Sequence, residues 1–572
     1  MISRIKKIQE VSSTKIKKYF IFLLIMMVLV MIFEMIGLSL IFPLVKQISS
    51  SEPNYILRKL SDLNFITLDF KNYSSYELTI FTSIFVIIIY TLKALITSIL
   101  EWNKSKFLYT LQEEISMKLF SSYVMGDYIR HLKENSSNFI RNVISENQQF
   151  SDNGVYPLLT FLTDFLVIIG ILFILIFFEP FIVISALLII SIISFIFLKF
   201  TRNKNLKYGL LRQKYEGLKI KFFNEGIGSV KELKILGTEK GFFSNFNKQN
   251  EGITHVGTRQ SFITVFPQIG LEFIAILGIV IVILIISSRN LNLVEVIPII
   301  GLIIAGIFRL IPACYRMISS YVRIRYTYPV IDLIHSEILY KNDQKNKSNE
   351  KDLDFNKVLS LKNISYSYDD KYFIFKNFNL DIHLNKWIAI TGKTGSGKST
   401  VIDIILGLSN ISSGNILIDN NPVSIYENKN WLNKFSYVPQ NIFLIDGSIK
   451  ENIIFDINNL HYDVIRLNKA VESSQLNDFI KTLDSGLDTI VGERGIKLSG
   501  GQKQRIGIAR ALYNIKKIMI MDEATNALDE VTEKKLLKSI KYEYKGYSFI
   551  LISHRKESIE FCDQIIEINK SN

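Results

Sequence analysis

Cysteine is nearly absent: only Cys314 and Cys562 occur in 572 residues, one in an apolar segment and one in a soluble-looking stretch. That excludes a disulfide framework and fits a cytosolic setting for the soluble part. Acidic charge is also short, with 53 Asp and Glu against 67 Lys and Arg and a net charge of +14. The basic excess lies largely beside apolar runs, where it fixes topology and meets anionic lipid, so nucleic acid is not expected as a partner. A signal-peptide cleavage site is missing too. The apolar run from Tyr19, preceded by Arg4, Lys6, Lys7, Lys15, Lys17 and Lys18, is too long for a signal-peptide core and is expected to be a retained helix.

What is present differs between two halves. The chain is too long for one core, and long, nearly uncharged apolar runs crowd roughly its first 320 positions, while the remainder alternates as soluble α/β sequence does. Six spans are expected, near 19–45, 77–100, 155–178, 181–201, 260–287 and 294–320. The connections 101–154 and 202–259 are long and basic, whereas Glu179-Pro180 and Ser288 to Leu293 are very short. The positive-inside rule therefore puts the long connections and both termini in the cytoplasm. Between the first two spans, Tyr55 to Ile66 mixes apolar and polar residues. It reads either as a helix lying on the outer surface or as a loop capping the bundle.

Ionisable residues inside spans are costly in hydrocarbon and face a bundle interior or a wet cavity. Here they are Glu34, Lys93, Asp164, Glu272, Arg309 and Arg316. Lys93, Arg309 and Arg316 could line a cationic cavity suited to an anionic head group. The alternative is that these cations pair with Glu34, Asp164 or Glu272, or snorkel to the interface.

The polar run 341–352 reads as a linker. The expected domains are 1–335 (membrane), 336–354 (linker) and 355–572 (ATPase). Gly392-Lys393-Thr394-Gly395-Ser396-Gly397-Lys398-Ser399-Thr400 fits G-x-x-x-x-G-K-[ST] between an apolar strand at Trp387–Ile390 and a helix from Val401. Glycines there let successive N–H groups face phosphate oxygens at a helix N-terminus. Lys398 would reach the β- and γ-phosphates and the Ser399 hydroxyl would hold Mg²⁺. Ile518–Met521 is an apolar strand ending in Asp522 and Glu523, placed for a metal ligand and a base acting on water.

With Leu498-Ser499-Gly500-Gly501-Gln502 between these motifs, the chain resembles the ATP-binding cassette (ABC) transporter family, by motif over 355–572 and by architecture over the six spans. The resemblance implies a six-helix all-α transmembrane domain of exporter type joined to an α/β phosphate-loop ATPase using ATP and Mg²⁺. It assigns adenine stacking to Tyr368, Mg²⁺ contact and sensing of the membrane half to Gln440, metal binding to Asp522 and the base role to Glu523. It also assigns a dimer-contact loop to Asp529 and the γ-phosphate switch to His554. Ser499, Gly500 and Gly501 of the signature would complete the ATP site of an opposed domain. Because each motif occurs once, a half-transporter active as a homodimer is expected. Two departures stand out: Asn526 replaces the usual Ser, and Arg555-Lys556-Glu557 after His554 is less apolar than is common.

Glu225 to Gly237 resembles the second cytoplasmic loop of exporters, whose short helix docks on an ATPase domain, and the first loop near Ser136 to Gln148 would supply a second contact. Tyr90 to Leu95, Phe308 to Ala313 and the segment after span 1 resemble PglK-type flippases of lipid-linked oligosaccharides. That implies movement of a polyprenyl-pyrophosphate glycan from the inner to the outer leaflet of a bacterial inner membrane. The alternatives are export of lipids, drugs or peptides and, from another class, an ATP-gated membrane regulator. Peptide export is disfavoured because no peptidase-like stretch precedes span 1.

Overall fold

The computed structural model describes residues 2–41, 44–45, 75–178, 180–288, 293–347, 353–367, 373–426, 428–456 and 461–568. Tyr368 and the segment Tyr55 to Ile66 lie outside them, so the readings placed on both stay expectations. The chain divides into two compact units: Met1–Gly126 with Lys133–Asp343, and Asp127–Leu132 with Gln344–Asn572.

The first unit is helical. Helix α1 (Ile2–Val11) leads into α2 (Thr14–Ser39), which Ser13 caps by accepting a hydrogen bond from the Ile16 N–H. There follow α3 (Ser75–Val124), α5 (Ser136–Arg141), α6 (Tyr156–Phe178), α7 (Pro180–Gly228), α8 (Val230–Leu236), α9 (Glu239–Ser288) and α10 (Leu293–Lys347), while α4 (Tyr128–Lys133), between α3 and α5 in the chain, falls almost wholly in the second unit. Between α5 and α6 the rod passes through π-helical turns at Asn142–Glu146 and Phe150–Val155. Among the described residues, five stretches are long and apolar enough to cross a membrane: Thr14–Ser39, Thr79–Val124, Ser136–Phe177, Glu239–Val280 and Ile303–Leu339. The expected span 181–201 falls within α7, another long helix.

These helices overrun the expected spans because the apolar period continues beyond the charge-free run. On α3, Phe107, Leu111, Ile115 and Leu119 recur every fourth residue and are all buried, each stabilising the bundle by about 1.5–3 kcal/mol. Toward the start of α3 the pattern inverts: Ile80, Phe81, Ile84, Phe85, Ile87 and Ile88 are exposed. So large an apolar band is unfavourable in water and stable against lipid.

Two boundaries differ from expectation. The polar run expected as a linker is helical through Lys347, the end of α10. Positions 336–347 contain neither glycine nor proline and several good helix formers, so a helix already nucleated in the bundle propagates through them. The second concerns the first connection, where it is Asp127–Leu132 that belongs to the ATPase unit, whereas Ser136 to Gln148 belongs to the helical one. Within Glu225 to Gly237 the short helix α8 does form, ended by Gly237 at φ +64° in the left-handed region.

The second unit contains two sheets. Strands β1 (Val358–Ser367), β2 (Phe373–His383), β4 (Ser413–Ile418) and β5 (Asn421–Pro422) pair antiparallel in the order β2-β1-β4-β5. Strands β3 (Trp387–Thr391), β6 (Phe435–Val438), β7 (Ile518–Asp522), β8 (Ser548–Ile552) and β9 (Gln564–Glu567) form a parallel sheet, β6-β7-β8-β3-β9. Every residue of β7 and β8 is buried, as expected of apolar runs in a parallel sheet covered on both faces. Ligands of such sheets bind beyond the carboxyl ends of the strands.

Candidate functional site

Four of the parallel strands deliver the expected site residues to one end of the sheet. The phosphate loop follows β3, Gln440 follows β6, Asp522 ends β7 with Glu523 directly after it, and His554 follows β8. The loop requires its glycines: Gly397 has φ +94°, and a Cβ there would stand 2.5 Å from the Phe375 ring. Helix α11 (Lys398–Ile405) begins at once, so its free N–H groups and positive dipole end border the loop. Lys393, Thr394, Gly395 and Ser399 are exposed, while Ser396, Lys398 and Thr400 are buried.

Lys398 donates from Nζ to the carbonyls of Gly392 (2.9 Å) and Lys393 (3.1 Å), curling its cation back across the loop. The buried Ser396 Oγ has no partner among the described residues. An unpaired hydroxyl in a cradle of N–H groups and one ammonium fits the phosphate chain of a nucleotide. Ser399 Oγ lies 3.4 Å from Asp522 Oδ2, a pair of hard oxygen donors of the kind Mg²⁺ takes. Burial foremost, and then the neighbouring Glu523 charge, hold the Asp522 carboxyl above its usual range; Ser399, Tyr437 and Lys398 pull the other way.

Glu523 is held by two amides. Gln440 Nε2 and Asn526 Nδ2 both donate to its Oε2, each at 2.8 Å, and its backbone sits in the left-handed region at φ +48°. One carboxylate oxygen is thereby anchored by both donors. His554 is exposed and makes no hydrogen bond among the described residues. The signature starts α12 (Gly500–Tyr513), where Ser499 and Gln502 form a capping box. Ser499, Gly500, Gly501 and Asp529 line one open groove, and no hydrogen bond from Leu498 to Gln502 reaches the phosphate loop among the described residues. Asp529 also caps α13 (Glu530–Glu543); hydrogen bonds from Thr532 hold its carboxylate below the usual range.

Both departures from the family pattern belong to one network. The Arg555 guanidinium donates to the carbonyls of Asn526 and Leu528, each at 2.8 Å, and to the fully buried Glu533 at 2.5 Å. Thr525 and Ser558 also donate to Glu533. Arg555 thus ties the segment after His554 to the loop that carries Asn526. Sequence reasoning marked both positions as unusual but missed their connection, because nothing in the spacing of Glu533 signals a buried carboxylate.

In the helical unit the expected cationic cavity is not free. Lys93 pairs with Glu34, and Arg309 Nε lies 3.3 Å from the same carboxylate, with both cations near the Tyr90 ring. Arg316 embraces Asp164 through Nε at 3.1 Å and Nη2 at 2.6 Å. Glu272 accepts from Gln268 on its own helix instead. Structural pairing therefore accounts for all three cations, because an uncompensated charge in hydrocarbon is too unfavourable. The Glu34 cluster still holds two cations against one carboxylate, and the Arg309 side chain is 42% exposed.

With this geometry, the fold and site define a class: a membrane-spanning ATPase built on a phosphate-loop domain. An ABC transporter family model matches residues 375–526. An export ATP-binding/permease protein of Rickettsia bellii is 30% identical over 497 residues, covering 83% of each chain. The chain belongs to the ABC transporter family, with the ATPase domain of that family.

A relative from Rickettsia conorii, also described as an export ATP-binding/permease protein, is 36% identical over 272 residues; the match spans 47% of this chain and 45% of that relative. An ATP-dependent lipid A-core flippase of Pectobacterium atrosepticum is 36% identical over 211 residues, 37% of this chain and 36% of the relative. The fold is that of a bacterial Atm1-family ABC exporter solved with ATP bound, at a TM-score of 0.81 and 17% identity over 97% of this chain and 95% of that one.

Proposed function

We propose that the chain is an ATP-driven flippase carrying an anionic glycolipid from the inner to the outer leaflet of a bacterial inner membrane, working as a homodimer of six-span subunits. The observation that carries the catalytic part is the anchoring of Glu523 by Gln440 and Asn526 beside the phosphate loop. Glu523 accepts the proton of a water whose oxygen attacks the γ-phosphorus as the bond to the bridging oxygen breaks. Lys398 and the loop N–H groups hold the phosphates, Tyr368 stacks on adenine, and His554 meets the γ-phosphate. Ser399, Asp522 and Gln440 would hold Mg²⁺, which would supply positive charge to offset that of the phosphates. Ser499, Gly500 and Gly501 lie on the open groove with Asp529, which fits a signature that completes the ATP site of the second subunit. Both termini and the ATPase domain face the cytoplasm, a reading supported by the long basic connections.

Within this class the lipid reading is favoured by the likeness to lipid A-core flippases. A polyprenyl-pyrophosphate glycan is the finer assignment. The two segments that resemble oligosaccharide flippases, around Lys93 and Arg309, converge on Glu34 with one cation in excess. A pyrophosphate would compete with Glu34 for those cations. The test is ATPase stimulation in nanodiscs by a prenyl-pyrophosphate disaccharide against its dephosphorylated form. Stimulation by the charged lipid, reduced in the Lys93→Ala, Arg309→Ala double variant with basal turnover retained, is expected. Equal stimulation by both lipids contradicts the anionic assignment.

A further inference from the structure

A second polar site lies in the helical unit, away from the paired charges. The end of the π-helical rod, α9 and α10 border an open cavity of about 350 Å³ that Gln149, Asn153, Gly257, Gln260, Arg323 and Tyr326 help to line. A neighbouring cavity of about 250 Å³ shares Gln149, Gly257 and Tyr326 with it. Gln260 is only 8% exposed, yet neither its amide oxygen nor its amide nitrogen has a partner among the described residues. A buried amide without partners is destabilising, and it persists where something else makes the bonds. The Arg323 guanidinium forms no ion pair among the described residues, and its residue is exposed. Asn153 donates to Gln149 at 2.8 Å, so those two amides hold each other in place at the rim.

We propose that this cavity binds the anionic, hydroxyl-rich head group of a sugar phosphate, with Arg323 taking the phosphate charge and Gln260 the sugar hydroxyls. A planar guanidinium matches phosphate oxygens, and an amide that both donates and accepts matches a hydroxyl. The position suits an entry site. Gln149 and Asn153 just precede one expected span, Gly257 and Gln260 stand at the start of another, and Arg323 lies just past the end of the sixth. All three boundaries face the cytoplasm under the proposed topology, at the depth of inner-leaflet head groups, so the placement rests on that reading of function.

Gly257 offers a clean way to fill the site, since a Cβ there meets nothing within 4 Å. Full-length protein in nanodiscs is titrated with a prenyl-pyrophosphate disaccharide, with the same pyrophosphate disaccharide lacking its tail, and with phosphatidylcholine. The parent is expected to bind the first, and Gly257→Leu, Gln260→Leu and Arg323→Gln to weaken that binding at least tenfold, with basal ATPase activity within twofold of the parent. Gln260→Leu is expected to melt no lower than the parent, because it removes two unsatisfied polar atoms; a structural role would lower its Tm. Binding of the tailless compound as tight as that of the lipid assigns the site to a soluble sugar phosphate, and weaker binding assigns it to the lipid. Parent-like affinity in Gly257→Leu and Gln260→Leu, or no binding by the parent, overturns the site. ATP-driven lipid movement by the parent is scored on the same samples, so a failed site with intact movement is distinguished from a failed flippase.

Discussion

The two units treat the residues singled out as candidate site groups in opposite ways. In the ATPase unit the reactive groups follow strand ends with capacity to spare: among the described residues Ser396 Oγ is unpaired and His554 has no partner, and Glu523 is anchored through one oxygen. In the helical unit Lys93, Arg309 and Arg316 are engaged by Glu34 and Asp164. The difference follows from the surroundings. Water and nucleotide can satisfy a group beyond the carboxyl ends of the strands, whereas a charge among apolar helices must bring its own partner. A polar group is thus a better pointer to function when it lacks a partner than when it carries a charge, and Gln260, one of several uncharged residues of the bundle with buried polar atoms unsatisfied among the described residues, lacks a partner on both amide atoms.

The strongest way to break this contrast is Glu523→Gln, which keeps the shape and both amide neighbours within reach but removes the base. ATP turnover is expected to fall by about 10²–10⁴-fold with nucleotide affinity retained, measured by phosphate release and equilibrium binding. Turnover near the parent rate would mean that the anchored carboxylate is not the base. In the other unit, Glu34→Gln leaves Lys93 and Arg309 without their counter-ion and is expected to destabilise the helical unit by about 3 kcal/mol, read as a lower Tm in detergent. An unchanged Tm would free those cations for a binding role.

Asn526→Ala sharpens the first half of the comparison. Losing one hydrogen bond to a charged group weakens positioning by about 1.5 kcal/mol, roughly a tenfold drop in kcat, with KM for ATP unchanged. The smallest effect is expected at Asp403, whose carboxyl is pushed up to about 6 by burial first and then by the Asp522 charge. A folded value above the unfolded one, near ~3.9, gives stability that is full below pH ~4 and lost as pH rises through 6. Asp403→Asn is therefore expected to match the parent near pH 4 and to melt higher at pH 7.5, without nucleotide. A constant Tm difference across that range would remove Asp403 from the pH response.

The ATPase half was legible because phosphate chemistry fixes residue identity at fixed spacing. Gly397 must lack a Cβ, and Asp522 and Glu523 must end a buried strand. The long helices were legible from their apolar runs, and the alternative reading of the span charges as pairs matched the structure. Three features were hidden. Gln260 is one amide among many in sequence, and only the fold leaves it buried without a partner. The Arg555–Glu533 link joins residues whose spacing carries no period. The end of α10 ran into the polar stretch because polarity alone does not stop a helix where glycine and proline are missing, as they are at positions 336–347.

The most direct test of ATP-driven lipid export is the movement of a fluorescent prenyl-pyrophosphate disaccharide across proteoliposomes, followed by quenching of the exposed leaflet, with parent and Glu523→Gln side by side. The expected result is movement that needs ATP and Mg²⁺ in the parent and is absent in the variant. Equal movement in both, or none in a parent that hydrolyses ATP normally, would contradict it.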